Sequence, residues 1–218
     1  MAGEVARRMQ RDQVDPQEAG IRALAEAGDL DGAATEAIRR YGAEIFGFLL
    51  ALHGGDEDDA GDVFSTFSEQ LWRGLGGFAW ACSLRTWAYA VARNASHAHR
   101  RAARRQAQRK VPLSGCAAVT EMAARVRTET ISYLRTERRH EIVRLREALS
   151  EEDQALLILR VDRELSWLDL ARVFLGEGAA SLEALQRESA RLRKRFQLIK
   201  RQLLHLGRER GLIPDREA

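Results

Sequence analysis

The stretch DAGDVFSTFSEQLW at residues 59–72, followed by SLRTWAYAVARNASHAHRRAARR at residues 83–105, decides the fold of this chain. Apolar residues recur in the first segment at the three- and four-residue spacing of a helix, and acidic side chains occupy a different face. A Gly/Trp loop separates it from the second segment, whose apolar and basic residues also recur at helical spacing. The pattern predicts an acidic amphipathic helix followed by a basic one.

The two predicted helices each have a face that should pack. In the acidic helix that face consists of Ala60, Val63, Phe64, Phe67 and Leu71, and in the basic helix it consists of Leu84, Trp87, Val91, Ala95, Ala98 and Ala102. The basic face of the second helix is expected roughly opposite and consists of Arg93, His97, Arg100 and Arg104. A helix that is half apolar and half cationic favours an anionic partner.

A third helix completes the first predicted domain. Its periodic residues begin after Asp31 and end before His53, where two following glycines stop a helix. Its predicted buried face consists of Ala34, Ile38, Tyr41, Ile45, Leu49 and Leu52. Three such helices predict a small bundle over residues 31–108, preceded by an N-terminal tail at residues 1–30.

The second half of the chain predicts a separate helical domain. Residues 109–140 are interpreted as an interdomain linker that is partly helical from Val119, because VPLSG at residues 111–115 breaks the basic helix. A C-terminal tail is expected at residues 208–218.

Within residues 141–207, two serines have the spacing of helix N-caps. Ser150 precedes Asp153, and Ser166 precedes Asp169, each by three residues, so that each serine should open a short helix. A basic helix follows, and a short helix, a turn and a basic helix are the sequence form of a helix-turn-helix.

The start of that basic helix has two interpretations. The segment GEGAASLEALQR at residues 176–187 is longer than the turn of a tight helix-turn-helix. Either the helix begins early, near Ser181, with about 25 residues and a length of roughly 38 Å, or a small extra helix is inserted. Its inward residues are expected to be Leu192, Phe196, Ile199 and Leu203, and its outward residues to include Arg191, Lys194, Arg195 and Arg201.

These motifs resemble bacterial sigma factors of the extracytoplasmic-function (ECF) type, in the sigma-70 family. The two segments quoted first are similar to sigma region 2, while ALSEEDQALLILRVDRELSWLDLARVFLG at residues 148–176 and SARLRKRFQLIKRQL at residues 189–203 look like region 4. The resemblance covers roughly residues 33–205. It implies an all-α protein with two small helical domains, a region 2 bundle and a region 4 helix-turn-helix, joined by a linker.

The resemblance implies roles for individual side chains. The acidic helix is expected to bind core RNA polymerase through Asp58, Asp59, Asp62, Ser65 and Glu69. The loop and the basic helix are expected to recognise and melt the minus-10 promoter element through Phe78, Trp80, Ser83, Arg93, Asn94, His97, Arg100, Arg101 and Arg104. The last helix is expected to read the minus-35 element through Arg187, Arg191, Arg193, Lys194, Arg195 and Lys200.

The distribution of charge agrees with a nucleic-acid partner although the net charge is only +3. Residues 91–110 contain seven Lys or Arg and no acidic residue, and residues 187–210 contain nine Lys or Arg against two acidic residues. In contrast, residues 56–69 contain six acidic residues and no Lys or Arg. Arginine and lysine bind phosphates, and a loop can hold bases that have left the stack. The alternatives are solvated helix faces for the charged stripes and core packing for Phe78 and Trp80.

Other classes of function have little support in the sequence. There is no Gly-rich phosphate loop or nucleophile motif, so the chain is not expected to be an enzyme. Cys82 and Cys116 are too few for a disulfide framework, and His97 with His99 lacks further ligands, so no metal or cofactor is expected. The start of the chain has no apolar signal region, and no run of about eighteen apolar residues occurs, which predicts a cytoplasmic protein without membrane insertion.

Two rival functions remain at this stage. One is a stand-alone helix-turn-helix regulator that binds duplex DNA without polymerase, and the other is a helical adaptor that mimics a sigma factor without binding DNA. Because many ECF sigma factors are held by an anti-sigma factor, the resemblance also admits that partner, although no residue identifies it.

Overall fold

The computed structural model of the chain describes residues 18–105, 117–134, 145–176 and 181–212. The regular structure in these ranges is helical, which confirms the predicted all-α class. In chain order the helices are α1 (Ala19–Glu26), α2 (Leu30–Leu52), α3 (Glu57–Leu75), α4 (Leu84–Arg105), α5 (Ala117–Leu134), α6 (Glu151–Leu157), α7 (Trp167–Leu175) and α8 (Leu182–Glu209). A π-helical segment, Ile158–Asp162, continues α6.

Helix α2 is the central helix of the first half. Asp29 caps its N-terminus by accepting a hydrogen bond from the Gly32 backbone N–H at 2.9 Å, and Gly54 and Gly55 follow its end with positive φ angles of 65° and 87°. All six residues of its predicted buried face are buried. The prediction of this helix is therefore confirmed.

Helix α3 packs on α2 through aromatic side chains. Asp56 opens the helix by accepting hydrogen bonds from the backbone N–H groups of Asp58 and Asp59. The Phe64 ring meets the Phe46 ring of α2 edge to face at 5.3 Å. The five predicted packing residues of α3 are at most 1% exposed, so that the acidic residues are left on the outer side.

Helix α1 lies inside residues 1–30, which the sequence predicts to be an N-terminal tail. The tail prediction does not include this helix. Glu18, just before α1, is 1% exposed, and its carboxylate accepts hydrogen bonds from the backbone N–H groups of Leu84 and Arg85 at 2.8 and 3.1 Å. It therefore caps the start of α4 from 66 residues away. Burial and the hydrogen bond to this carboxylate raise the pKa of Tyr41. Such a tertiary cap leaves no signal in the local sequence.

Helix α5 lies inside the predicted linker and packs against α2 and α3. Val119, Ala123 and Val126 are buried in that contact. Gly42 of α2 permits the close approach, because a Cβ atom there would lie 3.0 Å from a methyl group of Val126. The linker segment is thus partly helical, as predicted, and this part of it belongs to the first bundle.

The second half is built from α6, its π-helical extension, α7 and α8. Ser150 and Ser166 accept hydrogen bonds from the backbone N–H groups of Asp153 and Asp169, which confirms both predicted N-caps. Ser181 caps α8, a helix of 28 residues, so that the early-start interpretation of the basic helix is the correct one. The structural description omits residues 177–180 of the preceding segment.

We predict that Gly74→Ala destabilises the first bundle. A Cβ atom at this position of α3 would lie 2.9 Å from the indole of Trp87, a buried ring that cannot move without repacking. Overpacking of this kind should lower the free energy of unfolding by roughly 1–3 kcal/mol, although alanine favours a helix. Gly77→Ala is the control, because its Cβ would have only an ordinary contact at 3.7 Å. Urea denaturation followed by circular dichroism measures both, and equal stability of the two variants would contradict the prediction.

Candidate nucleic-acid interface

The acidic face of α3 brings the five predicted polymerase-binding residues onto one helix, but their surroundings differ. Asp58 and Asp62 are exposed and form no ion pair with any described residue. The Asp59 carboxylate lies 3.2 Å from His99 Nε2, and Glu69 pairs with Arg73 at 2.6 Å. The remaining member is Ser65, whose hydroxyl donates to the Gly61 carbonyl at 3.0 Å. Asp58 and Asp62 are therefore the carboxylates most available to a partner.

The aromatic side chains of the predicted minus-10 loop are held against the bundle. The Phe78 ring stacks on Trp87 at 4.7 Å and lies 4.8 Å from the Trp80 ring, and both loop residues are half-buried. Trp80 has a φ of 54°, a left-handed conformation that costs a residue with a side chain roughly 1–2 kcal/mol. The Arg22 guanidinium lies 5.5 Å from the Trp80 ring. The loop thus combines the core packing considered above with partly accessible ring surface.

The end of the loop joins α4 and lies near α7. The Ser83 hydroxyl accepts a hydrogen bond from the Thr86 backbone N–H at 3.1 Å, so it contributes to the start of α4. Burial raises the pKa of the Cys82 thiol to about 11, and the charges of Arg172 and Asp169 on α7 also act on it. Helix α7 also contacts α4, so the second half of the chain lies beside the helix that follows the predicted promoter loop.

The basic face of α4 is less exposed than its sequence pattern predicts. Asn94 and Arg101 are exposed, and His97 and Arg100 are half-buried, but Arg93 is only 8% exposed. The expectation that Ala102 packs is wrong, since it is exposed. α4 includes Arg104, whose side chain lies outside the described part of the structure.

Helices α6 and α7 cover this face. The Arg93 guanidinium lies over the Phe174 ring of α7 at 4.4 Å and 3.7 Å from the Glu152 carboxylate of α6. Its Nε has no acceptor among the described residues, and burial lowers the pKa of Arg93. Burial and the charge of Arg93 also lower the pKa of His97. The sequence could not show this, because the covering residues lie about sixty positions or more further along the chain.

Arg100 extends the same contact along α4. Its guanidinium pairs with Glu151 of α6 at 3.0 Å and donates a hydrogen bond to the Leu52 carbonyl at the end of α2. Nearer the start of α4, Arg85 pairs with Glu44 of α2 and donates to the Arg163 carbonyl at 3.0 Å. Contacts between the two halves therefore run along most of the described length of α4.

The predicted minus-35 residues lie on α8 and form two groups. Arg187, Arg193, Lys194 and Lys200 are exposed. Arg191 is also exposed and pairs with Glu188 of the same helix at 2.7 Å. In contrast, Arg195 pairs with Glu152 at 2.6 Å and with Asp153 at 2.5 Å, so that its guanidinium points at α6.

Glu151, Glu152 and Asp153, which we call the acidic turn of α6, pair with the basic side chains of α4 and α8, and sequence reasoning does not single them out. The sequence predicts for them only a capped helix start, where acids are favoured by the helix dipole. The run of three acids at residues 151–153, in a half of the chain with a basic helix, was the available signal. It did not indicate which cations the acids would meet.

Two histidines form a small polar cluster between α2, α3 and α4. The side chain of His53 is 3% exposed, and its Nε2 lies 2.9 Å from the Ser96 hydroxyl. Burial, assisted by the charge of Arg100, lowers the pKa of His53 to about 4. His99 lies alongside, with ring centres 5.8 Å apart. In the described ranges, no group of three or more His, Cys, Asp or Glu is arranged to hold a metal ion.

The first bundle is similar to a known protein family. Residues 37–106, about a third of the chain, match the family model described as sigma-70 region 2. The class that the fold and this match define is an all-α protein carrying a region 2 domain. The match supports a sigma-factor-like role for the first bundle. Neither curated proteins nor solved structures give a significant match.

None of the helices in the described ranges is both long enough and apolar enough to cross a bilayer.

We predict that stability falls as pH drops from about 6.5 to 4, partly because of His53. The unfolded chain protonates this imidazole near pH 6.5, whereas the folded protein does so only near pH 4, so the unfolded state binds more protons between these values. The loss should approach roughly 3 kcal/mol from this residue. His53→Gln keeps a polar partner for Ser96 and should flatten the dependence of unfolding free energy on pH. Urea titrations at pH 7 and pH 5 provide the test, and an unchanged pH dependence in the variant would refute this assignment.

Proposed function

We propose that this protein is a sigma factor of the ECF type that binds core RNA polymerase, recognises the minus-35 and minus-10 promoter elements and promotes melting. The observation that carries the proposal is the region 2 match over residues 37–106, a range that includes the acidic helix, the aromatic loop and the basic helix in one bundle. In this proposal the protein acts in the cytoplasm, with polymerase and promoter DNA as partners. Any anti-sigma partner would be an additional regulator.

Polymerase binding is assigned to the acidic face of α3. Asp58 and Asp62 are exposed on a rigid helix whose opposite side is locked in the core. A fixed row of carboxylates suits a basic partner surface, because little side-chain or backbone ordering is needed on binding. Asp59, Ser65 and Glu69 extend the same face.

Recognition of the minus-10 element is assigned to the loop and α4. Asn94 can hydrogen-bond a base edge and Arg101 can bind a phosphate, and both are exposed. Phe78 and Trp80 offer aromatic surface for bases that have left the stack. Melting then follows from binding the unpaired strand, without covalent chemistry. Arg93, His97, Arg100, Arg104 and Ser83 belong to the same proposed surface.

Recognition of the minus-35 element is assigned to α8. Exposed Arg and Lys side chains recur along α8 at helical spacing. The Ser189 hydroxyl fixes the helix to α7 by donating a hydrogen bond to the Trp167 carbonyl at 2.9 Å. A long helix anchored on a short one can enter the major groove. The proposed contact residues are Arg187, Arg191, Arg193, Lys194, Arg195 and Lys200.

The test of this function is run-off transcription with core polymerase and a library of genomic fragments. We expect discrete start sites that appear only when the protein is added. Asp62→Arg should abolish these transcripts and weaken pull-down of core polymerase, since it places a cation on the acidic face. Glu121→Arg is the matched control, because it makes the same charge change at an exposed position of α5.

The two rival functions give different results in this assay. A stand-alone regulator or an adaptor would produce no new start sites with active core polymerase. The absence of new start sites would therefore overturn the proposal. Retained polymerase binding by a folded Asp62→Arg variant would remove Asp62 from the docking surface.

A further inference from the structure

Four side chains form a short stack that begins in the core of the first bundle and ends at its surface. The Phe78 ring lies on Trp87 of α4 with the ring planes 19° apart, and its centre is 4.8 Å from that of Trp80. The Arg22 guanidinium of α1 lies 5.5 Å from the centre of the Trp80 ring. Helix α1 therefore places a cation beside the aromatic loop.

Trp80 holds a backbone conformation that disfavours side chains. Its φ of 54° lies in the left-handed region, which glycine adopts without strain and tryptophan does not. The indole is half-buried, so part of the ring remains open to solvent. A strained residue that presents an aromatic ring at the surface of a loop favours a binding role, because such strain is concentrated at ligand-binding and active sites.

Arg22 lies beside this ring and is available to an anion. Its Nε donates a hydrogen bond to the Glu26 carboxylate at 2.7 Å, and the two side chains are 29% and 59% accessible. A solvent-exposed pair of this kind, four residues apart on one helix, is weak. A phosphate can therefore take the place of Glu26, because it offers the guanidinium the same charge and acceptor oxygens.

Helix α1 is anchored next to the loop by buried contacts. Ile21, the neighbour of Arg22, is 1% exposed. The Glu18 carboxylate accepts hydrogen bonds from the first backbone N–H groups of α4, those of Leu84 and Arg85. The fold therefore fixes the Arg22 backbone relative to the loop, and little ordering is needed when a ligand binds.

We propose that Arg22 and Trp80 together form a nucleotide site for single-stranded DNA, in which Trp80 stacks on a base and Arg22 pairs with a phosphate of the same strand. This inference rests on the proposed function, which assigns Phe78 and Trp80 to unstacked bases but gives α1 no role. Stacking supplies affinity for any base, and the guanidinium supplies charge-assisted hydrogen bonds to phosphate oxygens. The promoter surface thereby extends onto α1, outside the residues that match the family model.

This site is accessible in the free chain. Arg93 of α4 is 8% exposed and lies against the Phe174 ring, whereas the side chain of Arg22 is 29% accessible and Trp80 is half-buried. A single strand can therefore reach Arg22 and Trp80 without any rearrangement of the two halves, and binding can be measured without polymerase.

The first test measures binding of the full chain to a mixed-sequence single-stranded oligonucleotide by fluorescence anisotropy over a range of salt concentrations. Arg22→Gln should weaken binding several-fold at low salt and reduce the slope of log affinity against log salt by about 0.7, the value for one phosphate contact to a single strand. Arg22→Lys keeps the charge and should retain the slope. Arg39→Gln is the matched control, because Arg39 of α2 also pairs with a glutamate of its own helix, Glu36, at 2.6 Å.

The second test separates stacking from charge. Trp80→Leu keeps an apolar side chain at the same backbone position but removes the aromatic face, so it should weaken binding roughly tenfold. The salt slope should stay unchanged, because stacking on a base releases no counterion from a phosphate. Trp72→Leu makes the same change at another half-buried tryptophan of the bundle and should alter affinity by less than about twofold.

Each outcome decides the inference. A reduced slope in Arg22→Gln, with weaker binding at an unchanged slope in Trp80→Leu, supports it. Equal slopes in Arg22→Gln and Arg39→Gln would overturn it, as would equal affinities in Trp80→Leu and Trp72→Leu or no binding of the strand by the unchanged protein at low salt. If Trp80→Leu does not fold, the Arg22 variants alone decide, because they change a surface side chain. Since neither polymerase nor a promoter is present, failure here is distinct from failure of the run-off assay, which decides the proposed function.

Discussion

The arrangement of this protein depends on how the buried cation of α4 is neutralised. Arg93 is 8% exposed and lies between the Phe174 ring and the Glu152 carboxylate, with its Nε lacking an acceptor among the described residues. A buried guanidinium without a counter-charge is costly, so the position of α6 is linked to that of α4. Glu152 also contacts Arg195, and this links α8 to the same point. Carboxylates on one turn therefore contribute to the contact between the two halves of the chain, together with the Phe174 ring and the Arg163 carbonyl.

This linkage gives one surface two possible partners. The hydrogen bonds from Arg195 hold the pKa of Glu152 below its ordinary range, so this carboxylate is ionised whenever the pairs form. A DNA phosphate offers the same negative charge and acceptor oxygens, and it can replace the carboxylate only when the helices separate. The acidic face of α3 lies outside this exchange. In the proposed function, polymerase docking and DNA binding therefore use separate surfaces of one small chain.

Much of the fold could be predicted from local sequence, as the cores of α2 and α3 and the caps at Ser150 and Ser166 show. These features depend on helical periodicity and on contacts three or four residues apart. The rest depends on residues far apart in the chain. Glu18 caps α4, α5 packs on α2, and the acidic turn of α6 meets Arg93 and Arg100, yet none of these pairs has a local pattern. The helices that carry most of the candidate residues could therefore be predicted, but the exposure of those residues could not be read from a helical pattern alone.

The most direct test of the contact between the two halves is a pulsed electron-paramagnetic-resonance distance between nitroxide labels at Gln70 of α3 and Gln202 of α8, both exposed. The native Cys82 and Cys116 are replaced by alanine and serine, so that the nitroxide reagent reacts only with cysteines introduced at positions 70 and 202. The account predicts one narrow distance distribution for the free protein, and a shift to longer distances when core polymerase and a promoter fragment recovered from the run-off assay are added. A broad distribution in the free protein that polymerase and promoter leave unchanged would contradict it.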